Sequence, residues 1–358
     1  MIVPADLSRI ERTLLTISLV FIIILAVKMT TFIISFFITS VILAMLFLPA
    51  MNWLKGKGFS DLVSVSVITI LACAGILVLI VITILSFHSL VSDIPLYQND
   101  LNLRFADITT ALNHAGITGG AISPPSVSIS DIVAFGISGI MGIGNAFLFL
   151  FFVGVTTFFI LLEAPRIVSR MEKQFGRESP ILGQLDRMTG YITDFIVVRT
   201  ETNAIHGLLF GGFLSVMGVH SAVLWGILTF LLGYIPYFGL VIAALPAIFF
   251  AWLQFGVPGA AAVIAAVCVL NLIVENPVYS YLAARKFEVP ALIVILSVIF
   301  WGWLLGIIGM LFSIPITLML LLSFEMSGDL RWINAVLGVG HLFGNHGRED
   351  PGPPGGPD

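Results

Sequence analysis

Residues 62–87 read LVSVSVITILACAGILVLIVITILSF, a stretch without a single charged side chain. A helix needs about 20 apolar residues to cross the hydrocarbon core of a bilayer. Residues 62–87 exceed that length and have no charged face that could lie against water. Similar uncharged runs occupy residues 14–27, 29–53, 132–162, 203–274 and 289–324. The runs together predict an all-α membrane protein that crosses the bilayer many times.

The composition of the whole chain supports the same class. Of the 358 residues, 58% are hydrophobic and 10% are charged, and the mean hydropathy is +1.09. A soluble globular domain carries about 25% charged residues, so this chain has too few to cover a water-facing surface. The net charge of -4 lacks the basic excess of a nucleic-acid-binding protein. We therefore expect the lipid bilayer, and no nucleic acid, as a partner.

The order of apolar and polar segments predicts about eight transmembrane helices and one broken hairpin. The predicted spans are 14–27, 30–50, 61–87, 139–162, 203–219, 260–275, 290–305 and 307–324, and the hairpin is 222–254. Six regions follow: N-terminal spans at 1–87, an external helical excursion at 88–131, and a transmembrane helix in 132–162. Cytoplasmic amphipathic helices occupy 163–202, the C-terminal transmembrane half occupies 203–326, and a cytoplasmic tail with a disordered end occupies 327–358.

Two amphipathic stripes characterise the polar segments. An apolar stripe with a row of Asp residues beside it predicts an amphipathic external helix: Ile94, Tyr97, Leu101, Phe105, Ile108 and Leu112. A second stripe predicts one helix of the cytoplasmic pair: Ile181, Leu185, Met188, Ile192 and Phe195. Pro165 and Pro180 are interpreted as helix starts, and Gly176 as a helix stop.

Positive charge sets the predicted orientation. Cytoplasmic loops carry an excess of Lys and Arg, and the basic clusters lie at Arg9/Arg12, Lys55/Lys57, 163–201 and Arg285/Lys286. Both termini are therefore expected in the cytoplasm of a multi-pass cell-membrane protein. The assignment holds only if residues 222–254 return to the side on which they start, as two short spans or as a re-entrant loop.

The hairpin is broken at Tyr234-Ile-Pro-Tyr-Phe-Gly239. Pro236 removes a helical hydrogen bond, and Gly239 permits turns that other residues avoid. Non-helical backbone at membrane depth is tolerated only where protein covers it or where it lines a wet cavity, and such interrupted segments mark transporter binding sites. Tyr234, Pro236, Tyr237 and Gly239 are therefore candidate solute- or ion-binding residues. The alternative is a plain interfacial turn with both tyrosines in the aromatic belt.

A second candidate region lies at the end of a predicted span, at Asn271, Glu275, Asn276 and Pro277. Asn271 and Glu275 are four residues apart and share one helix face. Carboxylates within membrane spans usually face the bundle interior and mark ion or proton pathways. Pro277 is expected to end or bend the helix. The alternative is an interfacial Glu275 that pairs with Arg285 or Lys286.

Other features predict packing rather than chemistry. Gly207/Gly211 and Gly302/Gly306 have the spacing that lets membrane helices approach closely, and the Gly306–Pro315 region is a second candidate discontinuous segment. Cys73 and Cys268 are interpreted as small buried apolar residues. The sequence has no phosphate-binding loop, metal motif or nucleophile motif, so we expect no cofactor, no metal and no enzyme. His206 is the one histidine considered for proton coupling.

Three segments resemble the autoinducer-2 exporter family of transporters. They are Gly233-Tyr-Ile-Pro-Tyr-Phe-Gly239, the Glu275-Asn-Pro277 region and the run from Val294 to Pro315. The resemblance extends over nearly the whole chain, and residues 236, 237, 239 and 275–277 fall on family motifs. It implies export of a small polar solute such as autoinducer-2, cation–proton antiport in some members, and assembly as a homo-oligomer.

The sequence thus predicts a secondary transporter that exports a small polar solute, coupled to protons or a monovalent cation. The alternatives are a cation–proton antiporter without organic cargo and an oligomeric channel or membrane scaffold.

Overall fold

The computed structural model describes residues 8–92, 94–114, 129–284, 289–327 and 329–339. No strand occurs among these residues, which confirms the all-α prediction. The helices are α1 (Arg9–Met29), α2 (Thr31–Gly56), α3 (Asp61–Ser92), α4 (Ile94–His114), α5 (Ile129–Phe175), α6 (Pro180–Met217), α7 (Ala222–Leu232), α8 (Gly239–Ala284), α9 (Ala291–Leu305), α10 (Ile307–Leu311), α11 (Ser313–Met326) and α12 (Arg331–Val336).

Five helices in the described part of the chain are long and apolar enough to cross a membrane. The five segments are Ile10–Met29, Thr31–Gly56, Asp61–Leu90, Asn145–Phe175 and Gly239–Pro277. Shorter apolar helices are α7, α9 and α11. Large apolar side chains such as Leu71 and Val216 lie on the outside of the molecule, where lipid replaces water as the solvent. The polytopic membrane architecture is therefore confirmed.

Cys73 and Cys268 are also exposed, as free thiols, so the prediction that they are buried is wrong. In a membrane protein an apolar residue gains no more from the protein interior than from lipid tails. Apolar runs therefore do not reveal which of their residues are inside.

The charged segment that follows the apolar run 132–162 belongs to the same helix, α5. Pro165 lies inside α5, so the prediction that it starts a helix is wrong. Arg166 and Arg170 both pair with Glu163, at 3.1 and 3.2 Å, and these contacts along the helix surface connect the residues on either side of the proline. Gly176, with a φ of 84°, follows the end of α5, and Pro180 is the first residue of α6.

α6 runs without interruption from the charged segment through the predicted span at 203–219. Four residues of the predicted stripe form its contact face: Met188, Ile192 and Phe195 are buried, and Leu185 is half-buried against them. The side chain of Ile181, the fifth, lies outside the described part of the structure. They pack with Ile42 of α2 and with apolar residues of α9 and α11. One helix thus carries both a charged end and a face in the central core.

The segment predicted to be external contains α4. Leu101, Phe105, Ile108 and Leu112 are half-buried, while Asp107 is exposed. Arg104 ties this helix to α8, because its guanidinium donates to the carbonyls of Leu253 and Gln254, at 3.1 and 3.3 Å. The side chains of Ile94 and Tyr97 lie outside the described part, as do residues 115–128.

The predicted hairpin consists of α7, a break at residues 233–238, and the first part of α8. α7 has 11 residues, which at about 1.5 Å per residue is only half of the roughly 30 Å hydrocarbon thickness. α7 is therefore too short to cross the bilayer alone. Gly256, with φ 71° and ψ -159°, separates residues 239–255 of α8 from residues 257–284.

Close packing between α6 and α7 depends on glycine. A Cβ added to Gly207 would lie 2.6 Å from the carbonyl oxygen of Gly226, and one added to Gly211 would lie 3.3 Å from the Gly226 Cα. Real Cβ atoms essentially never approach other atoms as closely as the first distance and seldom as closely as the second, so the two helices meet with backbone nearly against backbone.

The last apolar region turns sharply at Gly306, where φ is 69° and ψ is -149°. The predicted span at 307–324 is not one helix, because Phe312 (φ -105°) separates α10 from α11. Gly306 makes the turn and has open space around its Cα, whereas Gly302 is packed against the Met310 side chain. Only one glycine of this predicted pair is therefore a packing residue.

Candidate functional site

A cavity of about 260 Å³ lies between α6, α7, the break and α8. The residues that line it come from all four segments: Arg199, Asn203, His206, Thr229, Gly233, Ile235, Tyr237, Leu240, Val241, Asn271, Leu272, Glu275 and Asn276. Since one water occupies about 30 Å³ in the liquid, the space accommodates several waters or one small solute. The break and the polar end of α8, identified separately in the sequence, thus face one space.

α6 supplies the most deeply buried polar residues of the cavity. Arg199, Asn203 and His206 are 7%, 1% and 3% exposed. They are spaced by four and then three residues, so they lie on one face of the helix. His206 also hydrogen-bonds the backbone of Leu270 on α8. Burying three polar side chains in a row is costly unless they have partners.

One of these partners is Glu275 on α8. Arg199 Nη1 lies 2.7 Å from Glu275 Oε1, in an ion pair whose side chains are 8% and 21% exposed. Arg199 counts toward the basic cluster at 163–201, and the structure instead places it in the protein interior. Arg285 and Lys286, the alternative partners suggested by the sequence, lie outside the described residues.

The ion pair leaves polar atoms unsatisfied. Arg199 Nε, Asn203 Nδ2, His206 Nε2 and Glu275 Oε2 are buried without a hydrogen-bond partner. All four belong to residues that line this cavity. Buried polar atoms are rarely left unpaired in folded proteins, so the arrangement indicates a place where water or a solute is bound.

The break brings backbone and aromatic groups to the cavity. A Cβ on Gly233 would lie 2.5 Å from Asn203 Oδ1, so glycine is required there for the close approach of α6. Tyr237 lines the cavity with a φ of 63°, a left-handed conformation that costs a non-glycine residue about 1–2 kcal/mol. Such local strain is common at binding sites.

The other predicted residues of the break support its shape. The Tyr234 hydroxyl lies 2.7 Å from Thr200 Oγ1 on α6, and Pro236 is buried, with its carbonyl accepting from the amide of Phe238. Gly239 begins α8 so close to α7 that an added Cβ would overlap the Leu232 carbonyl. These three residues are not in the cavity lining.

On α8, Asn271, Glu275 and Asn276 line the cavity, whereas Pro277 is exposed and does not. The helix continues through Pro277 to Ala284, so it does not end at the proline. Sequence reasoning missed Arg199 and Asn203. Their spacing with His206 on a helix that enters an apolar run was the available indication. In the part of the chain that the structure describes, no three His, Cys, Asp or Glu residues form a group that could hold a metal.

Comparison with known proteins agrees with this architecture. The model of the AI-2E family transporter matches residues 15–326. The chain is 25% identical over 306 residues to the AI-2 transport protein TqsA of Escherichia coli, covering 84% of this chain and 88% of the relative. It is 27% identical over 346 residues to a putative transport protein of Haemophilus influenzae, covering 92% and 97%.

A further relative, the putative transport protein YhhT of Escherichia coli, is 24% identical over 273 residues. The matched region includes α6, the broken hairpin and the polar end of α8, and thus every described element that lines the cavity. The chain belongs to the AI-2E transporter family and is a multi-pass membrane transporter.

Proposed function

We propose that this transporter exports a small polar solute through the cavity between α6, the break and α8, as a secondary transporter coupled to protons or ions. The observation that carries the proposal is the set of four buried, unpaired polar atoms around one space. A space that serves only packing would be lined by apolar atoms. The name of the Escherichia coli relative supports an autoinducer-2-like solute as one member of the substrate class.

The ion pair between Arg199 and Glu275 couples solute binding to protonation in this proposal. Glu275 holds Arg199 at 2.7 Å. Protonation of Glu275 would remove the attraction and free Arg199 to bind cargo. Because Arg199 is on α6 and Glu275 on the second part of α8, release of the pair would let the two helices separate. Rocking of the C-terminal half would then alternate access to the site.

Cation–proton antiport without organic cargo is the second candidate, favoured by the unpaired Glu275 Oε2 beside two asparagines. It is less well supported, because the Arg199 guanidinium within the same pocket repels a bare cation. A sodium gradient imposed on proteoliposomes, with proton flux as the readout, separates the two functions. Saturable counterflow would exclude the third candidate, an oligomeric channel or scaffold.

The orientation and assembly belong to the same proposal. Both termini would be cytoplasmic, because cytoplasmic loops carry an excess of Lys and Arg and this orientation places the basic clusters of the sequence on that side. Homo-oligomers are the simplest assembly for the apolar surfaces of a family transporter. Accessibility of cysteines placed at either terminus, and the mass of the detergent-solubilised protein, measure these two properties.

Blocking the cavity with a bulky label tests the proposed function. Both natural cysteines are lipid-exposed and free, so Cys73→Ala and Cys268→Ala provide a background for Tyr237→Cys. The matched control is Phe238→Cys, at the next exposed position, which is not in the cavity lining. Each variant is treated with an anionic methanethiosulfonate reagent in proteoliposomes.

Counterflow is then measured for labelled autoinducer-2, hydroxy acids, polyols and sodium. At least one solute should show saturable counterflow that the label abolishes at residue 237 and spares at residue 238. Equal counterflow with and without the label at residue 237 would show that the solute takes another route.

A further inference from the structure

We infer that the cavity binds a small hydroxylated carboxylate, a monoanion, together with one proton on Glu275, and that the two cross the membrane together without net charge. The inference rests on the proposed function and adds the substrate class to it. Three features of the cavity carry it: its unpaired hydrogen-bonding groups, the helix end that faces it, and its charge balance.

Two of the four unpaired atoms of the cavity are donors. Arg199 Nε and Asn203 Nδ2 each carry hydrogen and cannot accept, and both are buried without a partner. The other two are His206 Nε2 and Glu275 Oε2. Because the second ring nitrogen of His206 donates to the Leu270 backbone, Nε2 of the neutral ring is an acceptor. A solute with a carboxylate for the two donors and a hydroxyl for Nε2 satisfies this set, and a bare cation does not.

The N-terminus of α8 adds to the same preference. Leu240 and Val241 lie in its first turn and line the cavity. Neither amide has a backbone acceptor among the turn and cap hydrogen bonds, which include those of Gly239 and Ile242. Unpaired N–H groups and the helix dipole make such a turn a site for anions. Discontinuous helices of other transporters present this end to anionic groups of their substrates.

Charge balance identifies the second ligand of the cavity, which is the proton on Glu275. The groups that face Glu275 are Arg199 and His206 on α6 and Tyr237 in the break. α7, which also packs on α8, has no titratable side chain, and Arg104 and Asp107 of α4 lie at the Gly256 end instead. With neutral histidine, the paired cavity has no net charge. A carboxylate that displaces Glu275 from Arg199 would leave a net charge of -1 in a membrane interior, which is costly.

Protonation of Glu275 restores neutrality. The solute carboxylate takes the place of Glu275 on the guanidinium, the ion pair separates, and the proton resides on Glu275. No covalent bond of the solute changes. Solute and proton therefore occupy the site together, and the loaded and empty forms carry the same charge. Export then follows the outward gradient of the solute and its accompanying proton.

Binding of labelled glycerate to the full chain in lipid nanodiscs tests the inference, with glycerol as the probe that has the same carbon skeleton but no carboxylate. Glycerate should bind saturably, and excess glycerol should not displace it. Calorimetry in buffers of different ionisation enthalpy should show uptake of about one proton per glycerate bound. Glycerol that displaces glycerate as well as glycerate itself does would overturn the inference.

The variants separate the roles of the residues. Arg199→Gln should weaken glycerate binding at least tenfold, and Asn203→Ala, which leaves the ion pair intact, should weaken it several-fold. Arg187→Gln, an exposed arginine on the same helix, should bind as the natural protein does. Glu275→Gln should bind glycerate without proton uptake, and Glu201→Gln, an exposed carboxylate on α6, should keep that uptake. Proton uptake in Glu275→Gln would contradict the assignment.

Transport in proteoliposomes distinguishes this inference from the proposed function. Net glycerate efflux that is insensitive to membrane potential in the natural protein, and sensitive to it in Glu275→Gln, would support the neutral complex. Counterflow of a neutral solute through the cavity, without glycerate binding, would overturn the carboxylate assignment and leave the transporter function standing. Glycerate binding with no counterflow of any solute would instead contradict the transporter function of this cavity.

Discussion

Removing either partner of the Arg199–Glu275 pair should destabilise the fold more than removing both. The two side chains are 92% and 79% buried, as their exposures of 8% and 21% imply, and their charged atoms are 2.7 Å apart. Loss of one partner from a buried pair costs about 3–5 kcal/mol, because the other charge is left without compensation. Glu275 retains some contact with solvent, so we expect about 3 kcal/mol for Arg199→Gln, the lower end of that range.

The measurement is a double-mutant cycle of Arg199→Gln, Glu275→Gln and the combined variant. Reversible unfolding of the purified protein in mixed detergent micelles gives the free energy of unfolding for each. The combined variant contains two neutral amides in place of two charges. Its loss should be smaller than that of either single variant, which requires a coupling of about 3 kcal/mol, the upper end of the range for residues in direct contact.

Two outcomes would refute the reasoning. Additive losses would show that the residues do not interact in the membrane-embedded protein. A loss below about 0.5 kcal/mol for Arg199→Gln would be that of a surface position, and Arg199 would then lie in solvent as its place in the basic segment first indicated. Glu201→Gln, on the exposed face of α6, provides the surface reference.

Three further predictions concern Gly207, Tyr237 and Arg104 of α4. Gly207→Ala should lower the free energy of unfolding by about 1–3 kcal/mol through overpacking, because its Cβ would meet Gly226 at 2.6 Å. Gly212→Ala on the same helix has open space and should change the free energy of unfolding little. Equal losses for the two variants would contradict close α6–α7 packing. Tyr237→Gly should relieve left-handed backbone strain (φ 63°), raising thermal stability or leaving it unchanged while slowing solute counterflow; a clear stability loss would show that the tyrosine ring supports the fold. Arg104→Gln should speed amide hydrogen exchange in α4 and around Gly256, because it removes the bonds to the Leu253 and Gln254 carbonyls; unchanged exchange relative to the exposed Asn102→Ala would show that α4 is held by its apolar stripe alone.

The broken hairpin was predictable because its determinants are local. Pro236 cannot donate a helical hydrogen bond and Gly239 permits turns that other residues avoid, and the break between α7 and α8 ends at these two residues. Asn271 and Glu275 were predictable for a similar reason, since four-residue spacing fixes a common helix face whatever the helix contacts. Tyr237 falls in the same segment, but no local rule reveals that its backbone is left-handed.

Arg199 shows why the other side of the site was not predictable. It has the same charge as its exposed neighbours in the segment 163–201, and positive charge at a membrane boundary is normally solvated. Only the arrangement of α8 against α6 turns it inward. Pro165 was misinterpreted for a related reason: its helix-breaking tendency is local, whereas the pairs of Glu163 with Arg166 and Arg170 depend on the helix already continuing.

α5 and α6 extend without a break from the membrane into the charged hairpin around Gly176. A helix that does not stop at the bilayer surface transmits torque along its axis. The charged start of α6 and the cavity wall formed by Arg199, Asn203 and His206 are therefore parts of one continuous helix. A protein, lipid headgroup or second subunit that displaced the start of α6 would act on the solute pocket through that helix, with no break between them.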